Sequence, residues 1–117
     1  MIIDEELQKW EIELKKGFSK PLILISLAEK PNYPYQLTKT ISSKTQGKIV
    51  IAGSNIYPIL KRMEDDGLIT GLKEEGSKNT IYSLTNDGKN FLELFSDNIS
   101  EFLTIIQSNL QEIKKLE

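Results

Sequence analysis

A small, mostly helical domain carrying one β-hairpin is the fold this sequence predicts, and three observations predict it. Apolar residues recur at spacings of three and four in several separate stretches. Two short β-branched runs flank a turn-forming loop within residues 68–84, and no glycine or proline follows Gly88. At 117 residues, 38% hydrophobic and 27% charged, the chain can bury one core without staples.

Composition narrows the chemistry. There is no cysteine and no histidine, which excludes disulfides, thiolate chemistry, imidazole ligation and the usual general base. No catalytic constellation, metal site or cofactor site can be assembled from what remains. Consecutive acids such as Glu64-Asp65-Asp66 point in different directions on a helix and cannot share an ion. The net charge is −2, but residues 1–16 carry three Lys against five acids, residues 17–89 ten Lys+Arg against seven acids, and residues 90–117 two Lys against five acids. A basic middle therefore lies between acidic ends. The acidic start predicts no signal peptide, and the longest apolar run, Leu22 to Leu27, is itself broken by Ser26. A soluble, cytoplasmic protein with no membrane partner is expected.

The elements follow in order. Asp4 to Lys16 reads as an amphipathic helix with Leu7, Trp10 and Leu14 on one face, acids in its first turn, lysines in its last, and Gly17 as its left-handed stop. Ser19 offers a cap and Pro21 a first-turn proline for a second helix ending at Glu29, apolar nearly all round and so buried on several sides. Pro31-Asn32-Tyr33-Pro34 turns the chain into a third helix, Pro34 to Ser43, with Leu37 and Ile41 inward and Gln36 and Lys39 outward. After Lys48-Ile49-Val50-Ile51-Ala52, the residues Gly53-Ser54-Asn55 supply cap chemistry for a fourth helix reaching Asp66. With Asn55 as its cap, Pro58 falls at the third helical position and no ladder bond is lost. Gly67 closes it.

Leu68 to Glu74 and Thr80 to Leu84 read as the hairpin strands, and Thr85-Asn86-Asp87 as the cap of a last helix running on from Lys89. In that helix Leu92, Ile99, Ile106 and Ile113 occupy heptad position a, and Phe95, Phe102, Asn109 and Leu116 position d, with Leu103 and Leu110 at e. A helix of ~30 residues is about 45 Å long and cannot bury such a stripe on a domain this small. A second copy is the expected cover, a two-fold homodimer through Leu92, Phe95, Ile99, Phe102, Leu103, Ile106, Leu110 and Ile113, with Trp10 on the same interface. Trp10 has a second reading, as a wall of a ligand pocket. Phe95 and Phe102 either fill or line the space between subunits, and Asn109 either sets the register or frays.

Helix, helix, helix, strand, strand, helix is the order of a winged helix-turn-helix. The division expected is residues 1–16 as an N-terminal helix, 17–88 as a DNA-binding domain and 89–117 as a dimerisation helix. The recognition helix would be Ser54 to Asp66, with Ser54, Asn55 and Tyr57 at base edges or phosphates and Lys61 and Arg62 at phosphates. Tyr35, Gln36 and Lys39 lie on the helix that would cross the backbone. Each has a plainer reading: Tyr57 packs on the hairpin, and the bases form a solvated face.

The residues Tyr33-Pro34-Tyr35-Gln36-Leu37, Ile56-Tyr57-Pro58-Ile59-Leu60-Lys61-Arg62-Met63-Glu64-Asp65-Asp66-Gly67-Leu68-Ile69 and Ile81-Tyr82-Ser83-Leu84-Thr85-Asn86-Asp87-Gly88 resemble the PadR family of winged-helix transcriptional repressors. The middle block carries most of the likeness, through a tyrosine-proline pair inside the recognition helix. The resemblance implies a homodimer on pseudo-palindromic double-stranded DNA, with a small-molecule effector or stress signal relieving repression in some members. Three positions depart from the family pattern: Pro34 stands between the two tyrosines in place of glycine, Ala52-Gly53-Ser54 replaces Ser-Pro-Gly, and the hairpin loop carries the single base Lys78. Lys78 would therefore bear most of any hairpin contact to DNA. The alternative function is a winged-helix module that meets a protein instead.

Overall fold

The computed structural model describes residues 2–116, in the order α1 (Ile3–Lys16), α2 (Ser19–Glu29), α3 (Pro34–Lys44), α4 (Gly53–Asp65), β1 (Ile69–Lys73), β2 (Thr80–Leu84) and α5 (Asn86–Lys115). The predicted class and element order hold: five helices and one antiparallel hairpin. Ile23, Leu24 and Leu27 of α2, Leu37 and Ile41 of α3, Ile56, Leu60 and Met63 of α4, Ile51 and Ile69 form one buried cluster. That cluster makes α2, α3, α4 and the hairpin a single head. Ser26, the one buried polar side chain among the described residues, is satisfied because its hydroxyl donates to the Leu22 carbonyl at 2.8 Å.

The hairpin pairs Ile69 with Leu84 through Lys73 with Thr80. Asn32 adds a bridge to its free edge, exchanging backbone bonds with Tyr82 at 3.0 and 2.8 Å. The segment read only as a turn thus also fastens β2 to the start of α3. Gly67 closes α4 as expected: at φ +80 it lets its own N–H reach the Glu64 carbonyl at 2.9 Å and the Leu68 N–H reach the Met63 carbonyl at 3.0 Å.

Several helix ends differ from the reading. Gly17 keeps a right-handed φ of −65, because α2 begins almost at once and no left-handed stop is needed. Ser19 is not a cap but the first residue of α2, following Phe18. Asn55 does not cap α4 either. The helix starts at Gly53 after an extended Ala52, which makes Pro58 its sixth residue. The Ser54 carbonyl consequently lacks a ladder donor. Ser54 and Pro58 both lie on the solvent side, where hydration offsets that loss.

Helix α5 begins at Asn86, three residues before the predicted Lys89, with Thr85 as its cap. The Thr85 hydroxyl oxygen accepts from the Gly88 N–H at 2.9 Å and lies 2.7 Å from the Gly67 carbonyl, so one side chain ties the end of α4 to the start of α5. Gly88 is buried, and a Cβ there would come within 2.1 Å of the Leu68 carbonyl oxygen. Leu92, Phe95 and Ile99 are half-buried, but every residue from Ser100 to Leu116 is exposed. The molecule accordingly measures 63 × 32 × 22 Å. Helix α1 buries none of its residues, and no helix among the described residues is long and apolar enough to cross a membrane.

Candidate nucleic-acid interface

Helix α4 is held on the core by Ile56, Leu60 and Met63, and everything else on it follows from helical spacing. Ser54, Pro58, Lys61 and Asp65 point straight away from the core. Tyr57 and Glu64 flank that ridge on the hairpin side, Asn55 and Arg62 on the other. All eight residues are exposed. The five residues expected to read DNA from this helix therefore share one solvent face about three turns long. Lys61 is in no ion pair among the described residues, whereas the Arg62 Nε lies 3.8 Å from the Asp66 carboxylate. Both partners of that pair are well exposed, so little energy holds the guanidinium there.

The other predicted contact residues surround this ridge unevenly. Tyr35, Gln36 and Lys39 are exposed on α3, and the Lys39 ammonium rests 4.6 Å from the centre of the Tyr35 ring. Lys78 is exposed in the hairpin loop, where the Ser77 hydroxyl accepts from the Asn79 N–H at 3.1 Å. Lys73 and Lys78 are balanced there by Glu74 and Glu75. Trp10 is 66% exposed, is not among the residues lining the two clefts beside α2, and does not anchor α1 to the core. Phe102, Leu103, Ile106, Leu110 and Ile113 form a bare stripe along α5. Phe95, with Phe91, lines an apolar cleft of about 510 Å³ between α2, the end of α4 and α5. Asn109 bonds back to its own helix, donating to the Ile105 carbonyl at 2.9 Å.

The family model described as "Transcriptional regulator PadR-like family" matches residues 23–94, from the buried face of α2 into the first turns of α5. The chain belongs to the PadR-like family of transcriptional regulators. Over 77 residues it is 38% identical to the transcriptional regulator YqjI of Escherichia coli; the match takes in 66% of this chain but only 37% of that longer protein. A transcriptional regulator of Clostridium thermocellum has a similar structure, with a TM-score of 0.74 at 26% identity over 82% of this chain and 96% of the other. Bacillus subtilis PadR, solved in complex with operator DNA, gives a TM-score of 0.57 at 30% identity over 65% of this chain and 44% of the other.

One position that braces this PadR-family head is not apparent from the helical pattern of α4. The Glu64 carboxylate accepts from the Gly71 N–H of β1 at 2.8 Å, bracing the hairpin against α4. Gly71 is required there, since a Cβ would come within 2.8 Å of the Thr80 methyl and 3.2 Å of that carboxylate. A glycine inside a strand is the one signal that pointed to such an approach. Beside this brace, Tyr82 has its phenol pKa raised from 10.0, first by burial, then by the negative charge of Glu64 and by Tyr57.

Proposed function

We propose that this regulator binds double-stranded DNA as a homodimer, with α4 in the major groove of a pseudo-palindromic operator, and that it represses. The observation that carries the reading is the outward ridge of α4, where Ser54, Asn55, Tyr57, Lys61 and Arg62 are exposed on a helix whose opposite face is locked into the core. The likeness of this head to a PadR solved on operator DNA supports it. Residues 17–88 are the DNA-binding unit. The apolar stripe of α5, bare beyond Ile99, with Trp10 of α1, supplies the dimer contact for the segment 89–117, and two copies of α4 would then lie one DNA turn apart, ~34 Å. A flat, apolar effector would enter beside Phe91 and Phe95.

Fluorescence anisotropy on the gene's own upstream DNA and on an unrelated fragment, across several salt concentrations, tests this. Tight binding to the upstream fragment with a log–log salt slope steeper than about −4 is expected. Asn55→Ala should alter sequence preference, whereas Lys61→Ala should weaken binding to all sequences alike. The charge-balanced hairpin loop favours a second reading, a protein-binding module; weak binding to both fragments without salt dependence would select it.

A further inference from the structure

The flank of α4 turned away from the hairpin borders a groove of about 840 Å³ between the end of α1, the start of α2 and residues 48–52. Four lysines line it, Lys15, Lys16, Lys20 and Lys48, together with Asn55 of α4, and no carboxylate does. Lys15 is engaged by Glu11 at 3.5 Å, but among the described residues Lys16, Lys20 and Lys48 are in no ion pair and all three are exposed. Lys48 is presented by an ordered turn: Gln46 and Gly47 adopt φ 55 and 76, and the Thr45 hydroxyl accepts from the Ile49 N–H at 3.0 Å.

We propose that Lys16, Lys20 and Lys48 bind DNA phosphates on the side of the major groove opposite the hairpin, so that this chain takes from the groove the backbone contacts its hairpin is poor in. The inference rests on the DNA-binding reading above. Charge complementarity carries it. Around the reading ridge, the hairpin loop is neutral, whereas these three lysines border α4 together and are in no ion pair among the described residues. Asn55 belongs both to the groove wall and to the first turn of α4, which places the lysines beside whatever that turn reads. Phosphate contacts carry no base information, so this patch contributes affinity and register without specificity.

The test compares wild type, Lys61→Ala and a triple Lys16→Gln, Lys20→Gln, Lys48→Gln variant on two duplexes: one recovered by the wild-type protein from a random-sequence pool, and its scrambled counterpart. The triple variant should melt like wild type and bind both duplexes more weakly, with their affinity ratio kept. Its salt slope should be shallower by about 0.9 for each phosphate that the variant leaves unneutralised. An unchanged slope, with Lys61→Ala still weakening binding, overturns the inference and leaves the DNA-binding reading intact. An unchanged slope accompanied by altered self-association overturns it in favour of an interface between copies. Failure of the wild-type protein to recover any duplex overturns both readings.

Discussion

Glu64 shows how a single side chain can join α4 to the hairpin. Its carboxylate fills the acceptor position opposite the Gly71 N–H, and removal leaves that donor to water. Glu64→Ala should therefore cost about 1 kcal/mol in chemical denaturation, and Glu64→Gln, which keeps an acceptor oxygen, should cost less. The same neighbourhood gives the stability a pH dependence. Because the Tyr82 pKa is higher folded than unfolded, its contribution is complete below about pH 10 and is lost as the pH rises through the elevated folded value. Wild type should thus lose more stability than Tyr82→Phe as the pH rises above about 10, as read from denaturation midpoints. At Gly88 the outcome is steric: a methyl group meets a backbone carbonyl that cannot rotate away. Gly88→Ala should cost about 1–3 kcal/mol. The roles of Tyr82 and Gly88 were not legible in the sequence, and the brace at Glu64 only through the glycine inside β1, because each depends on which neighbour from another element comes close. The buried residues were legible: Leu37, Ile41, Ile56, Leu60 and Met63 follow from helical spacing alone.

At the level of the element, the type and order of every helix and strand could be read from periodicity and breakers, and so could the start of α3 at Pro34, whereas the starts of α2 and α4 could not. Ser19 and Asn55 both have cap chemistry, yet α2 and α4 start without a side-chain cap. Their first turns border open groove and solvent, where water can satisfy free N–H groups, so local preference decided little. Thr85 is the contrary case. It caps α5 and also holds the close of α4, because both ends meet at the same point of the head. Thr85→Ala should lower stability by about 1–2 kcal/mol and expose the amides of residues 86–88 to faster hydrogen exchange. Asn32 carries a related lesson, since a residue chosen for turning the chain also completes the edge of β2, and nothing in its neighbours announces the pairing.

For the whole molecule, the decisive imbalance is between a head with a finished core and two helices, α1 and the outer part of α5, with none. Most of the exposed large apolar side chains, among them Leu7, Trp10, Phe102, Ile106 and Ile113, belong to those helices. A surface of that kind on a chain this small is expected to be covered by association. Ile106→Glu should yield a monomer in sedimentation or light scattering and should weaken DNA binding without unfolding the head. The heptad pattern makes this stripe legible in the sequence. The attachment of α5 was hidden, because it turns on the close approach of Gly88 to the Leu68 carbonyl. That approach works as a fulcrum. Beyond it α5 runs about 40 Å, so a tilt of about 10° there swings the far end by about 7 Å. Two heads joined through such arms would change their spacing by a comparable amount, and a small wedge driven in beside the fulcrum could put both reading helices out of step with the turn of the double helix.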